Sequence, residues 1–113
     1  MSAVVSFGGG EVWFTNSRAW GLILEEGMGR LDAKTRDEFE WYADSIGIDF
    51  TEIESDKRAG VAAWLLGVID DLRGELGASF GWNTEEDKVH FDQLSELLRE
   101  LLRKEGPISG QEE

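Results

Sequence analysis

Two short β-prone runs open the chain, Val4-Val5-Ser6-Phe7 and Glu11-Val12-Trp13-Phe14, with Gly8-Gly9-Gly10 between them. Glycine accepts the positive φ that tight hairpin turns need, so this pattern predicts an N-terminal β-hairpin. The period then lengthens. Trp20, Ile23, Leu24 and Met28 fall on one face of a helix over residues 17–28. Thr15-Asn16-Ser17 offers N-caps for it, and Gly27 and Gly29 end it. Asp32 caps a second helix over residues 33–46, with Phe39, Tyr42, Ala43 and Ile46 as its stripe and Gly47 as its stop. Residues 48–53 alternate apolar and polar side chains. They read either as a short strand or as a loop that tucks Ile48, Phe50 and Ile53 inward.

The third helix, over residues 56–76, is the most apolar. Ala59, Ala62, Leu65, Leu66, Ile69, Leu72 and Leu76 form its main stripe, and Val61, Trp64 and Val68 widen it to most of the circumference. Such a helix belongs at the centre of a fold. Gly60, Ala62, Ala63 and Gly67 admit close neighbours, and Gly77 closes the helix. After a loop holding Phe80 and Trp82, Thr84-Glu85-Glu86-Asp87 is a capping-box variant that starts a last helix over residues 84–105. Its apolar face is Phe91, Leu94, Leu98, Leu101 and Leu102, and Gly106-Pro107 stops it. The expected fold is mainly α: a small bundle of about four helices with the hairpin against one side. It becomes α+β if the hairpin and residues 48–53 share a sheet. A single compact domain over residues 1–106 is expected, followed by a flexible tail over residues 107–113.

Composition adds a sign to this picture. The 113 residues hold 24 acids and 11 bases, for a net charge of −13, yet 41% are hydrophobic and 11% aromatic. That is enough apolar material to fold rather than stay disordered. With no cysteine there is no disulfide or thiolate metal site. The longest apolar stretch, residues 61–69, is too short to span a membrane, and the N-terminus lacks the basic and apolar regions of a signal peptide. A soluble, cytoplasmic protein is expected. Its charge repels nucleic-acid phosphates and anionic membranes and favours basic proteins and cations. The charge is also uneven: residues 32–54 hold eight acids against two bases, and residues 84–113 nine against four.

Most candidate motifs lack a residue that their chemistry requires. Gly8-Gly9-Gly10 lacks the lysine and hydroxyl residue of a phosphate loop and is followed by Glu11. His90 is the only histidine; Glu86 and Asp87 lie one turn before it, but no second Glu-x-x-His exists to complete a di-iron set. Asp70 and Asp71 point about 100° apart on a helix and cannot face each other as an acid–base pair. Asp49, Glu52, Glu54 and Asp56 do not follow the order of a calcium loop. Neither an activated serine nor a cysteine nucleophile is present. The expectation is a non-enzymatic protein with no cofactor and no bound metal.

Two surfaces remain. Trp41 lies off the apolar stripe of the second helix, among Asp37, Glu38, Glu40 and Asp44, with Asp49 and Glu52 following. If exposed, its ring and this acid rim suit a basic protein partner; the alternative is that Trp41 packs beneath a neighbour. Leu94, Leu97, Leu98, Leu101 and Leu102 exceed what one core stripe needs and suggest a homodimer face. The leading functional expectation is therefore an acidic module that binds or neutralises a basic protein, as immunity proteins and small inhibitors do. The alternatives are a homo-oligomeric structural protein and a carboxylate-lined metal or small-ligand site between helices.

Overall fold

A computed structural model of the chain describes residues 2–82 and 84–105. The expected tail over residues 107–113 lies outside them. The chain divides into two compact units, residues 1–57 and 58–113.

The first unit is α+β. Strands β1 (Ser2–Gly8) and β2 (Glu11–Asn16) form the expected hairpin, and positive φ at Gly9 and Gly10 makes its turn. Helix α1 (Ser17–Met28) follows directly. The Asn16 side chain accepts from the Ala19 N–H at 2.7 Å and satisfies one of the free donors at the helix start. Helix α2 (Ala33–Tyr42) is capped by Asp32, which accepts from the Thr35 N–H at 2.8 Å. Short strands β3 (Ala43–Asp44) and β4 (Gly47–Asp49) come next, then a 3-10 turn over Phe50–Glu52. The sheet has four strands in the order β2-β1-β4-β3. β1 pairs antiparallel with β2 and parallel with β4, and β3 pairs antiparallel with β4.

The pleat gives this sheet two unlike faces. Trp13, Val5, Ile48 and Ala43 form one register row across all four strands, and every one is buried. The neighbouring row, Phe14, Val4, Gly47 and Asp44, lies on the opposite face, where Phe14 and Asp44 are exposed. Trp20 and Ile23 of α1 complete the buried side, and the Trp20 Nε1–H donates to the Asp44 carbonyl at 2.7 Å.

The second helix was expected to run to residue 46, but α2 stops at Tyr42. Sheet pairing overrides the helical period there. Gly47 sits at φ +130° beside β1, and a Cβ on it would fall 1.7 Å from the Val4 carbonyl oxygen. It therefore serves as a contact point of the sheet, not as a helix stop. Ile46, expected on the helix stripe, lies in the β3–β4 turn and is exposed. Residues 48–53 combine the two readings offered for them: the strand ends at Asp49, and Ile48, Phe50 and Ile53 are all buried.

The second unit is helical. Helix α3 (Ser55–Leu72) begins in the first unit and supplies Val61, Ala62, Leu65, Val68, Ile69 and Leu72 to the buried core. It ends four residues before the expected stop. A turn at Arg73 and Gly74 leads into α4 (Glu75–Ser79), and Gly77 lies within that helix. A Cβ at Gly77 would fall 1.7 Å from the Leu72 carbonyl oxygen, so glycine permits the chain to fold back on itself. Helix α5 (Glu85–Glu105) opens with the expected reciprocal cap: Asp87 N–H donates to Thr84 Oγ1 at 3.1 Å, and Thr84 N–H to Asp87 Oδ2 at 3.3 Å.

Phe91, Leu94 and Leu98 of α5 are buried. Leu94 and Leu98, expected at a dimer face, are thus consumed by the core of their own chain. Leu97, Leu101 and Leu102 keep part of their surface. Among the described residues of the unit, Ser95 is the buried polar one, and its hydroxyl is held from both sides. It accepts from Arg73 Nη1 and Arg99 Nε, each at 3.2 Å. Arg99 also bridges to Asp70 at 3.1 Å and Arg73 to Asp92 at 2.6 Å, which ties α3 and α5 together antiparallel. Among the described residues, no helix is long and apolar enough to cross a membrane.

Candidate protein-binding face

The open face of the sheet is built by the alternation that fills the core. With Val5 pointing inward, Val4 and Ser6 must point outward, and their register partners Phe14, Val12, Gly47 and Asp49 share that face. Beside it, the end of α2 and the β3–β4 turn bring Trp41, Tyr42, Asp44 and Ile46 up against Val4, Ser6 and Asp49. Together with Glu52 and Ile53 they line an open hollow of about 400 Å³. Trp41 is 85% exposed and Ile46 62% exposed at its mouth, while Phe14 is 58% exposed beside Val4. These are the largest apolar exposures in the described chain, and all lie in the first unit.

The carboxylates around the hollow are held in place locally. Asp44 Oδ1 accepts from the Ile46 N–H at 3.0 Å, which shapes the turn that presents Ile46. Asp49 Oδ1 accepts from the Thr51 N–H at 3.0 Å and the Thr51 hydroxyl at 2.6 Å and so caps the 3-10 turn. In each case one carboxylate oxygen is engaged in this way and the residue remains exposed. Glu38 behaves differently. It forms an ion pair with Lys57, and the hydrogen bond that Lys57 Nζ donates to Glu38, followed by the charge of Glu38, raises the Lys57 pKa above its ordinary value. At the start of α2, the hydrogen bonds from Thr35, backbone first, lower the Asp32 pKa.

Of the seven residues expected to bind a partner, Trp41, Asp44, Asp49 and Glu52 therefore line one hollow. Asp37 and Glu40 are exposed on α2 but do not line it, and Glu38 is engaged with Lys57. Sequence reading did not include Val4, Ser6, Tyr42, Ile46, Val12 and Phe14 in this face. The alternation of β1 and β2 carried the signal for Val4, Val12 and Phe14. Ile46 carried none, because its helical spacing pointed to a core stripe. In the second unit, His90 lies in a shallow depression with Glu85, Glu86, Asp87, Val89 and Gln93. Among the described residues, no three histidine or carboxylate groups gather in a way that would hold a metal ion. The chain matches no protein-family profile, no curated protein and no solved structure with which it was compared.

Proposed function

We propose that this protein is a non-enzymatic binding module whose open sheet face takes a basic protein, in the manner of a small inhibitor or immunity protein. The observation that carries the reading is Trp41: a large ring, 85% exposed, at the mouth of a hollow lined by Asp44, Asp49 and Glu52. Exposed tryptophan costs solubility and supplies the kind of anchor that dominates interface energetics. The hollow beneath it suits a lysine or arginine side chain of the partner. Its cationic head would meet the three carboxylates, and its alkyl stem the apolar surface of Val4 and Ile46. The net charge of −13 would speed the encounter at low salt.

The test is a titration of the full chain with an arginine- and lysine-rich amphipathic peptide, followed by NMR and calorimetry. Shifts concentrated on Trp41, Tyr42, Ile46 and Asp49, with affinity falling as salt rises, are expected. Trp41→Ala should weaken binding by about 2 kcal/mol, or roughly thirtyfold. Shifts spread evenly over every acidic segment, or a Trp41→Ala variant that binds like the parent, overturn the reading.

A further inference from the structure

We infer that the outer edge of β2 pairs antiparallel with the same edge of a second copy of this chain, continuing the sheet across a twofold axis. The backbone sets the geometry. Val4 N–H donates to the Ile46 carbonyl at 3.0 Å, so the main-chain groups of Val4, and of Ser6 two residues on, face β4. Those of Ala3 and Val5 therefore face β2, where they meet Thr15 and Trp13. The alternation continues through β2. The N–H and C=O groups of Val12 and Phe14 point away from β1, and β2 is the last strand on that side. Their side chains are exposed as well, Val12 at 42% and Phe14 at 58%.

Natural sheets blunt such an edge with lysine, proline, an inward charge or a bulge. β2 has no lysine or proline, and the one register shift of the hairpin lies at Ser6–Gly8 on β1. From Ser2 to Asn16 the only ionisable side chain is Glu11, in a chain of which 31% is charged. That contrast selects the occupant. A body of net charge −13 repels its own copy over most of its surface, and the hairpin is the stretch where a copy can approach. A basic strand would find one carboxylate there.

The register also closes. With Trp13 on the twofold axis, Val12 lies opposite Phe14 of the partner subunit, and Phe14 opposite Val12 of the partner subunit. The outward-pointing groups then exchange reciprocal N–H···O=C bonds. The same pairs make apolar cross-strand contacts on the open face, and Glu11 meets Thr15 of the partner subunit rather than a carboxylate. The contact is isologous and stops at two copies. It uses the β2 end of the open face, whereas the hollow with Trp41 and Ile46 lies at the β3–β4 end, and neither Val12 nor Phe14 lines that hollow.

Analytical ultracentrifugation of the full chain over a wide concentration range, at low and moderate salt, tests this. The parent should dimerise, and more tightly at moderate salt, where like charges are screened. Val12→Pro deletes an outward N–H, and Phe14→Lys places charge on the edge. Each should raise the dimer dissociation constant by about tenfold or more with the circular dichroism spectrum unchanged, while Trp41→Ala leaves it unaltered. The Val12 and Phe14 amides should exchange more slowly as concentration rises. If Val12→Pro fails to fold, Phe14→Lys decides alone. A parent that stays monomeric overturns the inference, as does a dimer whose dissociation constant neither folded variant changes. Edge amides protected by added polylysine in a monomeric chain replace the second copy with a basic strand and overturn it too.

Discussion

The two units carry nearly the same charge and use it differently. Residues 1–57 hold twelve acids against five bases, and residues 58–113 twelve against six. In the second unit, Asp70, Asp92, Arg73 and Arg99 are spent on one another around the buried hydroxyl of Ser95. In the first, Asp44, Asp49 and Glu52 stand beside exposed Trp41 and Ile46. Acidity therefore does not mark a binding surface by itself. What separates these two clusters is whether the carboxylates already have basic partners, and whether large apolar side chains are left outside with them; Val89, 53% exposed beside Glu85, Glu86 and Asp87, is the second unit's smaller counterpart.

Gly47 in the first unit and Gly77 in the second each stand where a side chain would run into backbone. Gly47→Ala drives a methyl group into the Val4 carbonyl, and Gly77→Ala into that of Leu72. A destabilisation of about 4 kcal/mol or more is expected for each, since backbone must move in both. Hydrogen exchange shows where. Losses centred on β1 and β4 for Gly47→Ala, and on α4 and its neighbours for Gly77→Ala, keep the units distinct. Identical losses in both variants make them one cooperative body.

Next in size is the contrast between two adjacent turns of α5. Leu94→Ala empties a fully buried site and should cost about 3 kcal/mol in urea unfolding, whereas Leu97→Ala should cost less than half of that. Equal costs would mean that Leu97 is as much a core residue as Leu94. Ser95→Ala removes the acceptor shared by Arg73 and Arg99 and should cost about 1–2 kcal/mol. A neutral result would show that the Ser95 hydroxyl adds nothing to the ion pairs and apolar packing of α3 and α5. Trp41→Ala should leave stability within about 0.5 kcal/mol of the parent, as an exposed side chain does. A large loss in the melting curve would make Trp41 structural and remove the main contrast between the units.

The smallest effects are those of pH on the first unit. Asp32 has a lowered pKa in the folded chain, so its cap on α2 contributes fully above the unfolded carboxylate range and is lost as pH falls through the folded value. Lys57 has a raised pKa, so its pairing with Glu38 contributes fully below the ordinary lysine value and is lost as pH rises through the folded one. Acid titration should move the Thr35 amide signal in the parent and not in Asp32→Asn. A Thr35 signal that tracks pH identically in both would mean that the Asp32 carboxylate does not cap α2.

Local signals were enough for much of this fold. The glycine-centred hairpin, α1 with its Asn16 cap, the Asp32 cap of α2 and the Thr84–Asp87 box of α5 all depend on side chains within a few residues of the backbone groups they satisfy. The inward set Ile48, Phe50 and Ile53 was one of the two readings that the alternation over residues 48–53 left open. Apolar spacing also placed Leu65, Ile69, Leu94 and Leu98 on buried faces without naming what would bury them. What the sequence left undecided was where long-range pairing takes over from local preference. Residues 43–46 have helical spacing, yet β1, some forty residues earlier, competes for that stretch and wins by pairing with β4. That pairing turned Gly47 from a helix stop into the close contact of the sheet and moved Ile46 from core to surface. It also brought Val4 and Ser6 beside Trp41. The acids of the face could be read one by one, because charge is a property of single residues. Their assembly into one hollow was a tertiary outcome, because a parallel pairing between distant strands has no signature in the spacing of either one.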